Sequence, residues 1–142
     1  MKEPGAEIRI SADIDRLPLL CGFVEEHSEA SGCGQARTNG MLLAAEEAFV
    51  NICRYSYPKS HGDVTVSCGR EDNFFILEFI DDGVPFDILS APEPDLELDL
   101  DQRSPGGLGI FFIRQMTDRL SYSRVDGRNF LTMAFNCGKK AV

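Results

Sequence analysis

Three short stretches of this chain carry residue types whose spacing could do chemistry. In Glu47-Ala48-Phe49-Val50-Asn51 a carboxylate and a carboxamide stand four residues apart. On a helix that spacing stacks them one turn apart. The amide oxygen of Asn51 then suits a hard cation such as Mg²⁺, and Glu47 suits a general base. Arg54, three residues further on, could reach a phosphate from the same face. A solvated polar face looks the same, so this motif alone leaves both readings open. The second stretch is Asp81-Asp82-Gly83-Val84-Pro85-Phe86-Asp87, which follows the apolar Phe79-Ile80. A carboxylate at a strand end can accept a hydrogen bond from an adenine amino group, and Gly83 would let the base approach the backbone. Asp81, in the Asp-x-Gly arrangement, is the better acceptor, with Asp82 and Asp87 read as solvated or turn-forming. A plain turn remains the alternative. The third stretch, Gly106-Gly107-Leu108-Gly109, leads into Ile110-Phe111-Phe112-Ile113. Glycines at a helix start allow close approach, and free N–H groups there bind phosphate. It is not a Walker sequence, because no Gly-Lys-Ser/Thr follows, and no parallel βαβ context makes it a Rossmann fingerprint.

These stretches need elements to hold them. Residues 7–10 alternate as a short strand, with Ser11 or Asp13 placed to cap the helix after it. That helix is expected over 13–29, ended by Ser31-Gly32-Cys33-Gly34, and a second over 35–55, stopping before Pro58. In the second, Leu42, Ala45, Phe49 and Ile52 form an apolar stripe, with Glu47 and Asn51 roughly opposite it. Strands are expected over 64–68 and 73–80. Residues 90–107 hold Pro92, Pro94 and Pro105 among five acidic side chains and read as a lid or a disordered segment, with Arg103 a possible cation on closure. A helix over 108–117 and a hairpin across Asp126-Gly127 complete the chain. The order predicts one α+β domain over 1–142: a two-layer sandwich, its mixed or antiparallel sheet covered on one face by helices.

Composition narrows the function classes. The chain has 142 residues, 43% of them hydrophobic, so a folded core is expected. Its formal net charge of −9 argues against a surface for nucleic acid or anionic membrane. The first residues lack an apolar core for a signal peptide, and no run is long enough to span a bilayer, so a cytoplasmic location is expected. Five cysteines, none at a Cys-x-x-Cys spacing, read as reduced structural thiols. His27 and His61 are too scattered for a metal site or a Ser-His-Asp triad.

In their order, the three motifs resemble the N-box, G1 box and G2 box of the GHKL ATPases, the gyrase, histidine-kinase and MutL-type superfamily. More narrowly, the chain resembles the small anti-sigma-factor serine kinases of bacterial partner-switching systems. The likeness runs from about residue 7 to 135 and includes Arg114-Gln115-Met116-Thr117-Asp118 and Asp126-Gly127-Arg128-Asn129. It implies a Bergerat-type ATP site. Glu47 would receive the proton of an attacking serine hydroxyl, and Asn51 would hold Mg²⁺ against the triphosphate. Asp81 and Gly83 would form the adenine pocket. Gly107, Leu108 and Gly109 would lie on the phosphates, Arg54 beside them, and Thr132 would help hold adenine through water. The resemblance further implies an anti-anti-sigma partner with a STAS-type domain, phosphorylated on serine, a sequestered sigma factor, and a homodimer. A nucleotide-dependent binding module without transfer, or a regulator of a non-sigma target, are the alternatives. Two departures stand out: Tyr55-Ser56-Tyr57 where relatives often carry His-Ala-Tyr, and Pro85 where some carry Gly.

Overall fold

The computed structural model describes residues 5–90 and 107–138. Strand β1 (Ala6–Ser11) leads through a 3-10 turn at Ile14–Arg16 into helix α1 (Leu17–Ala30). Asp13 caps that turn by accepting from the Asp15 N–H, and Pro18 sits in the first turn of α1, where no donor is needed. Helix α2 (Gln35–Asn51) runs on as one π turn (Ile52–Ser56) before β2 (Asp63–Glu71) and β3 (Phe74–Asp81). A 3-10 turn at Ile88–Ser90, helix α3 (Gly107–Met116), β4 (Arg119–Val125) and β5 (Arg128–Asn136) complete the order. At the β4–β5 turn both Asp126 and Gly127 have positive φ, at 50° and 78°, the backbone a two-residue type I′ hairpin requires. The expected acidic lid over 91–106, with Arg103 and Gly106, lies outside the described residues.

The sheet order is β1-β2-β3-β5-β4, and each neighbouring pair is antiparallel. Strand parity divides its faces. Phe75, Leu77 and Phe79 of β3 and Leu131, Met133 and Phe135 of β5 are buried under the helices. Leu20, Phe23 and Val24 of α1, Met41 and Phe49 of α2, and Ile110 and Ile113 of α3 close the core from above. This is the α+β sandwich the sequence predicts.

Helix α2 departs from the expected stripe. Leu42 is only half-buried, whereas Ala44, Ala48 and Asn51 are buried. The reason is α3, which packs antiparallel along that flank. A Cβ on Gly40 would lie 3.4 Å from the Met116 sulfur, and one on Gly109 would meet Glu47 and Asn51. Asn51, expected opposite the apolar stripe, is thereby drawn into the interior.

The cysteine expectation is corrected in part. Cys33, in the α1–α2 loop, is disulfide-bonded to Cys137, just after β5, 104 residues away. The fold brings them together at the end of the sandwich where the buried Arg70 donates to the carbonyls of Ser31, Asp72 and Gly138. Cys21, Cys53 and Cys68 are not disulfide-bonded. Burial pushes the Cys21 thiol up to about 12 and that of Cys53 to about 11, which favours the protonated thiol at neutral pH. Closing a loop of roughly 100 residues stabilises by up to about 4.7 kcal/mol in the chain-entropy model. Thermal unfolding of Cys33→Ser should therefore show a melting temperature lower by on the order of 10 °C. Equal values with and without the bridge would mean that it adds nothing. No helix among the described residues is long and apolar enough to cross a membrane.

Candidate functional site

The last turn of α2, the first turn of α3 and the Asp-x-Gly turn after β3 meet at one end of the sandwich. Asn51 closes α2 and is 3% exposed; its Nδ2 donates to the Glu47 carbonyl at 2.7 Å. That bond leaves Oδ1 as the atom Asn51 can offer to another group. The half-buried Glu47 extends toward α3, so that a Cβ on Gly109 would lie 2.3 Å from its Oε2 and 3.7 Å from Asn51 Nδ2. Glycine at 109 is thus what lets the α3 N-terminus, whose first N–H groups have no partner within the helix, close onto the Glu47/Asn51 pair. The first and third motifs, far apart in sequence, are neighbours in space.

Asp81 ends β3 on the helix-facing parity and is 4% exposed. Its Oδ1 accepts from the Gly83 N–H at 3.0 Å and from Asn129 Nδ2 at 2.9 Å. Among the described residues its Oδ2 has only the Ser56 hydroxyl, at 3.4 Å. Burial raises the Asp81 pKa; the bonds from Asn129, Gly83 and Ser56 and the charge of Arg124 pull the other way. A Cβ on Gly83 would stand 2.2 Å from the Ser56 carbonyl oxygen, which also accepts the Val84 N–H at 2.9 Å. The glycine is needed because the turn presses on the π turn that extends α2, coupling the first motif to the second. Asp82 and Asp87 are both exposed; Asp87 accepts from the Leu89 N–H two residues on, whereas Asp82 accepts from the Tyr57 hydroxyl, 25 residues away.

A small cleft of about 10 Å³, room for a single water, lies between these groups, lined by the polar Asn51, Ser56, Asp81 and Asn129 and by the apolar Phe86 and Ile88, so a larger ligand enters only if these side chains part. Once those side chains part, an under-used carboxylate oxygen beside apolar side chains suits a planar, amine-bearing ring. Not every expected residue comes here. Thr132 lies on the opposite face of the sheet, where its hydroxyl donates to Glu78 Oε2 at 2.9 Å. Arg54 is exposed on the π turn and does not line the cleft. Gly107 opens α3, and the side chain of Leu108 is outside the description. The residues that sequence reasoning misses are Ser56, Tyr122 and Asn129. Asn129 carries one faint signal, its place just past the Asp126-Gly127 turn, where a strand returns toward Asp81.

Comparison with known proteins bears on the identity of this arrangement. A family model described as a histidine kinase-like ATPase domain matches residues 10–135. The serine/threonine-protein kinase BtrW of Bordetella bronchiseptica (strain ATCC BAA-588 / NCTC 13252 / RB50) is 32% identical over 94 residues. That match covers 66% of this chain and 66% of BtrW, just under two thirds of its length. The crystal structure of the RsbU and RsbW domains of Rv1364c from Mycobacterium tuberculosis has a TM-score of 0.67 at 14% identity. It covers 99% of this chain but 35% of that one, and the likeness speaks for the fold. The family match spans both motif-bearing helices and the Asp81 turn, and so the chain belongs to the histidine kinase-like ATPase domain family, a membership that implies ATP as its ligand.

Proposed function

We propose that the cleft binds Mg²⁺-ATP and that the chain is a protein-serine/threonine kinase of a partner-switching system. It would phosphorylate an anti-anti-sigma partner with a STAS-type domain on serine and sequester a sigma factor, acting as a cytoplasmic homodimer. The observation that carries this reading is the convergence of Glu47 and Asn51 with Gly109, with Asn51 lining the same cleft as Asp81. Asp81 Oδ2 accepts from the adenine amino group, and Phe86 and Ile88 cover the ring. The residues fit a magnesium ion: Asn51 has its nitrogen engaged and an oxygen left, the donor that a hard cation prefers. Mg²⁺ supplies charge neutralisation of the triphosphate against a chain of net charge −9. The N–H groups of Gly107 and Gly109 receive phosphate oxygens. Glu47 takes the proton of the incoming serine hydroxyl. Because phosphoryl transfer depends mainly on positioning and charge, this short set of groups is sufficient. The name of BtrW as a serine/threonine-protein kinase supports the enzymatic part of the reading. Phosphorylation adds about −1.5 to −2 charge to the partner, which an acidic chain then releases.

Thermal unfolding with and without Mg²⁺-ATP tests the site. At 100 times its Kd the ligand should add about 2.7 kcal/mol, on the order of 5–10 °C in melting temperature. The shift should disappear in Asn51→Ala. No shift in the wild type at millimolar ATP would overturn the reading and leave a cleft kept for protein binding.

A further inference from the structure

We propose that Asn129 is a positioning residue of the cleft, holding Asp81 Oδ1 so that Oδ2 alone faces the ligand and selects a purine with an amine, rather than a carbonyl, at its six position. The inference rests on the nucleotide reading above and deepens it. Asn129 is 3% exposed and has both ends of its amide engaged. Nδ2 gives one hydrogen to Asp81 Oδ1 at 2.9 Å and the other to the Val84 carbonyl at 2.8 Å. Oδ1 accepts from the Tyr122 hydroxyl and, at 3.4 Å, from the Phe86 N–H. A flipped amide would set its oxygen against a carboxylate and a carbonyl and its NH₂ against a backbone donor, so the orientation is determined.

That orientation decides which oxygen of Asp81 is free. With the Gly83 N–H and Asn129 both on Oδ1, that atom is fully used. Among the described residues Oδ2 holds only the long Ser56 bond, and Asp81 lines the cleft, so Oδ2 is the oxygen left to accept there. A six-amino purine meets it donor to acceptor. A six-carbonyl purine would meet it acceptor to acceptor, with both groups desolvated. Tyr122 acts at one remove, by holding the far end of the Asn129 amide.

The test is the ratio of ATP to GTP affinity, measured by calorimetric titration of the full chain. Asn129→Asp keeps the shape but turns the donor facing Asp81 into an acceptor. It should weaken ATP by about tenfold or more and bring the ATP:GTP ratio toward one. Tyr122→Phe leaves both donors of Asn129 in place and should lower the same ratio by a smaller factor, about two- to fivefold. A folded Asn129→Asp with the wild-type ratio overturns the inference, and so does an equal loss of ATP and GTP, which marks a merely structural role. If circular dichroism shows Asn129→Asp unfolded, Tyr122→Phe decides: a lowered ratio supports the proposal and an unchanged one overturns it. Wild-type protein that binds no ATP would bring down the nucleotide reading as well, an outcome distinct from binding with an insensitive ratio.

Discussion

Asp81→Asn should abolish ATP binding while leaving the ligand-free protein at least as stable as the wild type at neutral pH. The two halves come from one fact, that Asp81 is a buried carboxylate whose pKa is raised by that burial. A folded-state pKa above the unfolded value means the native chain holds the proton more tightly. The stabilisation tied to that proton is fully present below the ordinary carboxylate range, and it is lost as pH rises through the raised folded value. In its ionised form Asp81 is a buried charge, and Asn129, Gly83, Ser56 and Arg124 offset the cost of that burial only in part. An amide can keep the local bonds: its oxygen accepts from the Gly83 N–H and Asn129, and its NH₂ donates to the Ser56 hydroxyl. It cannot accept from the adenine amine, because a donor now faces a donor. With a charged hydrogen bond removed and a ligand donor left unsatisfied, affinity should fall on the order of a hundredfold or more. Titration with ATP, and melting temperature followed from acid to neutral pH, check both halves. Wild-type affinity in the variant would remove Asp81 from the site. A melting temperature several degrees lower at neutral pH would contradict the electrostatic argument.

The same residue shows how far the sequence can be read. Asp81 and Gly83 are legible because an acid and a glycine at the end of an apolar run are a local pattern, as are Glu47 and Asn51 one turn apart. What those residues touch is not local. Asp81 faces Asn129 because β3 pairs with β5 in the register Asp81↔Asn129. Nothing within either strand fixes that register. Thr132 illustrates the complementary error: three residues from Asn129, it has the opposite strand parity and pairs with Glu78 on the open face. A hydroxyl in the last strand is readable, but its face is set by pairing. The burial of Asn51 depends on α3 crossing α2, and the Cys33–Cys137 bridge on a contact between loops 104 residues apart. The π turn at Ile52–Ser56 reads in the sequence as ordinary helix, although it is what brings the Ser56 carbonyl against Gly83. Element types come from periodicity, while the second set of partners around the site comes from tertiary pairing.

Glu47→Ala should retain Mg²⁺-ATP binding and lose serine phosphorylation, and this separates a kinase from a nucleotide-gated binding module. Glu47 is half-buried at the α2–α3 junction, not in the apolar part of the cleft, so its loss leaves the Asp81 and Asn51 contacts untouched. Removing a general base typically costs about 10²–10⁴ in rate. Transfer of labelled γ-phosphate to a STAS-type protein would measure it. Gly109→Ala is the companion. The added methyl would stand 2.3 Å from Glu47 Oε2, the far end of a flexible side chain, while remaining 3.7 Å from Asn51. The carboxylate must swing aside, yet the core need not open. Gly109→Ala should thus slow transfer with little change in melting temperature, mimicking the Glu47 deletion by displacement. If both variants transfer phosphate at the wild-type rate, Glu47 is not the base. If the wild type binds ATP but transfers nothing, and nucleotide still alters its grip on the partner, the chain is a switch without an enzyme. Transfer that falls in both variants, with ATP affinity intact, would place the proton acceptor at the contact between α2 and α3.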